Sequence, residues 1–158
     1  LCSMALFAAS DIFGLLFFHD KEHFLLPGKK AFHKEALVKF LTEKGIALYD
    51  TATSVRRLQD NASDKFLEVI EPTDIRLLLK QLPHCQAIVT TGQKATDIIR
   101  SQIEVKEPAV GKSCPFEFED RNLLLYRMPS SSRAYPLALE KKADFYRLML
   151  NELGILQE

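Results

Sequence analysis

Cysteine is scarce in this sequence, net charge is absent, and the one long apolar stretch is short for a membrane span. The three cysteines, Cys2, Cys85 and Cys114, are odd in number and far apart. That excludes the paired framework of a small secreted domain. No Cys-x-x-Cys pair occurs, and His84 beside Cys85 reads as a loop pair rather than half of a zinc site. These absences point to a reducing, cytoplasmic setting with no resident metal. Lys plus Arg and Asp plus Glu both number 21, so the formal net charge is zero. A protein that coats nucleic acid through bulk charge is thereby excluded, whereas a local basic patch is not, because phosphate binding depends on where charges cluster. Beyond Phe18 there is no long linker, low-complexity tract or internal repeat, which leaves one domain over 1–158.

What is present is ordinary for a packed protein. The 158 residues suffice to bury a core, and 47% hydrophobic with 27% charged residues argues against disorder. The start is the exception. Residues 1–18, LCSMALFAASDIFGLLFF, are strongly apolar and do not begin with methionine. They lack the basic leading region of a signal peptide, and Asp11 interrupts the run. They are also short for a membrane helix. The expectation is a buried element in a chain that begins partway into a longer protein.

Further on, the pattern alternates between helix and strand. Residues 31–44 place Phe32, Leu37, Phe40 and Leu41 on one helical face, with Gly45 as the stop. IALY, 46–49, reads as a short buried strand. Pro72 is expected to open a helix through Leu82, with Glu71 and Asp74 near its positive end and Pro83 closing it. AIVTT, 87–91, reads as a second buried strand, and Gly92 leads directly into a helix from Gln93 to about Ile103. FEFE, 116–119, and NLLLYRM, 122–128, flank a polar turn at Asp120–Arg121 and predict a hairpin. Residues 137–153 form the most pronounced amphipathic pattern in the chain, closed by Gly154. The fold class is therefore α/β: a three-layer α/β/α sandwich with a short, mostly parallel central sheet.

In such sheets ligands bind beyond the carboxyl ends of the strands. Three segments follow predicted strands. The first, 49–66, carries Asp50, Arg56, Arg57, Asp60, Asn61 and Asp64; a solvated loop in which Asn61 or Ser63 caps the next helix is one of two evenly weighted readings of 61–64. Asp50, immediately after a buried strand, is placed to point into a pocket. In the second, TTGQKA, Gly92 allows a ligand to approach the exposed N–H groups of a helix start. In the third, PSSSRAYP, 129–136, Pro129 ends a strand and three serines supply short donors and close-set amides. Arg133 stands at the tip, and Tyr135 and Pro136 stiffen the exit. Such a loop suits a phosphate backbone, with one cation or wedge entering a groove. A serine-rich turn that caps a helix is the equally weighted alternative.

MPSSSRA, 128–134, followed by LEKKADFYRLMLNELG, resembles the second signature motif of the uracil-DNA glycosylase superfamily, most of all its mismatch-specific thymine/uracil branch. VTTGQKATDII, 89–99, is similar to the strand-Gly-Lys-helix element of those enzymes. Residues 45–66 resemble the segment that carries their base-reading side chain. The likeness extends from about Asp11 to the C-terminus. It implies an enzyme of base excision repair that flips a deaminated or mismatched base out of double-stranded DNA and hydrolyses its N-glycosidic bond, as a monomer, with no metal, cofactor or membrane. By the same resemblance Ser130, Ser131 and Ser132 pinch the DNA backbone, Arg133 fills the space left by the flipped nucleotide, and Gly92 and Lys94 meet DNA at the helix start.

Two departures bear on activity. Asp50 falls where many relatives have an asparagine that reads the pyrimidine edge. An ionised carboxylate only accepts hydrogen bonds, so it suits a base edge that offers donors, and hypoxanthine with its N1–H becomes a competitor to uracil. The first motif of the family, a Gly- and Pro-containing loop with a water-positioning Asn or Asp, has no counterpart before Phe24. Asp11 is the only carboxylate in the apolar stretch 1–18 and reads as a helix cap or flank rather than a water activator. Two alternatives stay open: part of an active glycosylase, or a DNA-binding relative that has lost the motif. An unrelated nucleotide-binding α/β domain using Gly92 is a third.

Overall fold

The structure is a computed structural model that describes residues 3–26, 33–48, 52–57, 67–130 and 135–157, with side chains for these except 3–9, 52–57 and 67–72. The chain divides into two compact units, one made of Leu1–Asp50 with Pro136–Glu158 and the other of Thr51–Tyr135.

The first unit is helical. The apolar start forms α1 (Ser3–Phe18), and Ile12, Phe13 and Leu16 are buried along it. Asp11 lies in the middle of this helix, so it neither caps nor flanks it. Helix α2 (Lys34–Glu43) buries Leu37, Phe40 and Leu41 at the expected i, i+3, i+4 spacing, and Phe32 lies outside the described residues. Its N-cap is His33, whose Nδ1 accepts from the Ala36 N–H at 3.1 Å. Phe40 meets α1 edge-on, its ring 4.9 Å from that of Phe17.

At the end of α2 the expected strand at 46–49 gives way to a helix cap. Gly45 has φ +72°, its N–H donates to Thr42 O, and the Ile46 N–H donates to Leu41 O at 2.8 Å. This Schellman arrangement takes the Ile46 amide that a strand ladder would need, and residues 46–48 form no strand. The same motif closes α5 (Leu139–Glu152), where Gly154 has φ +73° and the Ile155 N–H donates to Leu150 O at 2.9 Å. Within this unit α5 packs on α1 and buries Lys142, Ala143, Tyr146, Met149 and Leu150.

The second unit holds five strands among its described residues. β1 (Ala52–Arg57) and β2 (Leu67–Pro72) pair antiparallel, so the stretch read as a solvated loop begins as a strand that contains Arg56 and Arg57. Asp60, Asn61, Ser63 and Asp64 lie outside the described residues. Pro72 ends β2 rather than opening a helix. Asp74 is the N-cap of α3 (Ile75–Gln81), accepting from the Leu77 N–H at 3.1 Å.

β3 (Ala87–Thr91), β4 (Ser113–Phe118) and β5 (Arg121–Met128) form a sheet in the order β3-β5-β4. β3 runs parallel to β5, and β4 runs antiparallel to it. The sheet is thus mixed, and among the described strand pairs only β3–β5 is parallel. The cause is the hairpin: Glu119 and Asp120 both have positive φ, as a two-residue turn between twisted antiparallel strands requires. This turn lies one residue earlier than expected and puts Arg121 in β5. Its guanidinium donates to the carbonyls of Leu79, Leu82 and Cys85 at 3.0, 3.0 and 2.8 Å, closing the end of α3. Leu79, Ile99, Ile103, Phe116, Phe118, Leu123 and Leu125 are the buried core.

Candidate nucleic-acid interface at the strand ends

Because β3 and β5 are parallel, their carboxyl ends reach the same edge, with Thr91 opposite Met128. The Gly92 N–H donates to Met128 O at 3.0 Å, which binds the start of α4 (Gln93–Gln102) to the last residue of β5. Gly92 is the N-cap, with φ +87°, a conformation that a side chain would strain. Among the described residues no side chain caps this helix, which leaves the amides of its first turn at its positive end without one.

Two buried threonines hold the turn. Thr96 Oγ1 donates to Gly92 O at 2.9 Å and lies 2.8 Å from Thr90 Oγ1. Thr90, next to the last residue of β3, also reaches Tyr126 O at 3.3 Å. Strand, glycine and helix are therefore joined through side chains as well as through the chain itself.

Of the residues singled out from sequence, the fold brings Gly92, Lys94 and Ser130 to this end of the sheet. Ser130 is buried two residues beyond β5, behind the buried Pro129. Lys94 is the second residue of α4, half-buried, and has no ion pair or hydrogen bond among the described residues. Asp50, Ser131, Ser132 and Arg133 lie outside the described residues.

A polar cluster not anticipated from sequence lies beside them. Arg127 donates to Gln93 Oε1 and to Pro108 O at 3.2 Å, and its Nη1 is 3.8 Å from Glu107 Oε1. Gln93 Nε2 donates to Glu107 at 2.6 Å and to Asp97 at 2.8 Å. The one available sequence signal was a charged residue at the penultimate position of the strand, directly after the apolar run 123–126. Among the described residues no group of three or more His, Cys, Asp or Glu is arranged to hold a metal ion, and the Cys85 thiol donates to Ala87 O at 3.2 Å. No described helix is long and apolar enough to cross a membrane.

Comparison with protein-family models, with curated proteins and with solved structures finds no match to this chain.

Proposed function

We propose that this chain binds double-stranded DNA bearing a damaged or mismatched base through the edge where β3 and β5 end, as a monomeric DNA glycosylase of the cytoplasm that hydrolyses the N-glycosidic bond of a flipped-out uracil, thymine or hypoxanthine. The three-layer α/β/α sandwich of the uracil-DNA glycosylase superfamily goes with this reading as its expected fold. The observation that carries the reading is Lys94. A cation in the first turn of a helix opposes the helix dipole, at a cost of about 0.3–1 kcal/mol. Lys94 bears that cost while half-buried and without an ion pair among the described residues. A phosphate seated on the helix start reverses the sign of the interaction. The resemblance of 128–134 to the DNA-pinching serine motif supports the same edge, since Ser130 follows Met128, which Gly92 contacts.

A second reading, a damaged-DNA-binding protein without catalysis, draws on the carboxylates at this edge. Asp97 and Glu107 both accept from Gln93, and Glu107 also faces Arg127. Both are exposed and already engaged by Gln93, a surface cluster rather than the enclosed setting of a general base. The deciding experiment is a base-release assay on duplexes with uracil, hypoxanthine or mismatched thymine beside an undamaged control, with binding followed in parallel. Release from one damaged duplex is the expected result and names the substrate. Salt-sensitive binding without release selects the second reading. Neither binding nor release removes both.

A further inference from the structure

Three separate pieces of chain meet at Arg127, whose side chain is 16% exposed. The first turn of α4 is held through Gln93 Oε1. The 107–112 connection is held through Pro108 O and Glu107, and through the backbone, where the Gly111 N–H donates to Arg127 O at 2.7 Å and the Arg127 N–H to Lys112 O at 3.0 Å. The third piece is the end of β5 itself, where the next residue, Met128, accepts from Gly92. A single guanidinium thus ties together the helix start that carries Lys94 and the strand that leads into Ser130. The arrangement has a cost, because Arg127 Nε is buried without a partner among the described residues. A solvated arginine would satisfy all its N–H groups, and leaving one unmade is unfavourable. The fork is held in this position despite that loss.

We infer that Arg127 is a positioning residue, which sets the spacing between the α4 N-terminus and the Met128–Ser130 segment so that one phosphate backbone meets both; the inference rests on the DNA-binding reading above. Lysine does not substitute for it, because one ammonium cannot hold three acceptors in the fixed directions of a guanidinium. The role is separable from general stability. Loss of the fork frees the edge, whereas the core of the unit, centred on Leu79, Phe116 and Leu125, is built without it.

The test uses the whole chain and its Arg127→Met, Arg127→Lys and Gln93→Ala variants. Amide hydrogen exchange is read at Gly92, Thr96 and Gly111 and, as the internal standard for folding, along the β4–β5 ladder. Binding is measured to a duplex containing a tetrahydrofuran abasic analogue. In Arg127→Met, exchange at the three edge amides is expected to quicken at least tenfold, with the ladder unchanged and affinity falling about tenfold. Gln93→Ala is expected to change Gly92 and Thr96 in the same direction by less, and Arg127→Lys to recover under half of either effect. Edge exchange equal to the parent overturns the inference. So does an increase spread evenly over the ladder, which marks a purely structural residue, or full rescue by lysine. If the parent binds no duplex, the DNA-binding reading fails, and the exchange pattern alone decides whether Arg127 sets the edge.

Discussion

Arg121 and Arg127 lie six residues apart on one strand, and both spend their guanidinium groups on carbonyl oxygens. Arg121 closes α3 through three of them. Replacing it with methionine keeps the stem and removes the donors, and hydrogen bonds from charged groups contribute more than neutral ones. Arg121→Met is expected to lower unfolding free energy by about 2 kcal/mol in a urea titration. Lys142 and Tyr146, a turn apart on the buried face of α5, give a pH signature. Burial lowers the Lys142 pKa below 10.5 and raises that of Tyr146 above 10.0. Between its folded and unfolded values, lysine binds more protons when unfolded, so stability rises as pH climbs toward 10.5. Above pH 10.0 the unfolded tyrosine loses its proton first, so stability falls. Denaturation midpoints across the alkaline range are expected to show both limbs. Lys142→Met removes the rise and Tyr146→Phe removes the fall.

Among the elements, those with locally complete signals were legible in sequence. The strand-Gly-helix segment around Gly92, the hairpin and α5 each carry their own period and their own stop. The four apolar residues at 46–49 were misleading because so short a run has no period to separate strand from coil. The Schellman cap on Gly45 decided the matter instead. β1 was missed for the opposite reason. ATSVRR is a strand through its pairing with 67–72, information that lies outside the segment. The site divides in the same way. Gly92 and Lys94 were readable from neighbours in the chain, whereas the partners of Arg127 are distant in sequence, at 93, 107 and 108. The caps also permit a clean measurement. A Cβ at Gly154 meets no atom within 4 Å, so a substitution there is penalised by backbone conformation alone. Gly154→Ala is expected to cost about 1 kcal/mol, and d-alanine at the same position to restore stability, in thermal unfolding of semisynthetic protein.

For the molecule as a whole, the division into units is uneven along the chain. The unit of 51–135 is continuous, and its core comes from α3, α4 and the β3-β5-β4 sheet. The other unit is assembled from both ends of the chain, with α1 packed on α5. Ending the chain at Tyr135 is therefore expected to abolish amide protection in α1 and α2 while β4 and β5 stay protected. Loss of protection throughout would show that the continuous unit depends on the other.

This discontinuity also sets an order of events during synthesis. α1, the most apolar of the described helices, is made well before its partner α5, which begins only at Leu139. At usual elongation rates the wait is about ten seconds, ample for 51–135 to fold in between. Throughout that interval the apolar side of α1 lacks its mate. The nascent chain is thus a natural client for chaperones that shield apolar segments, and it is most prone to aggregate before α5 has left the ribosome.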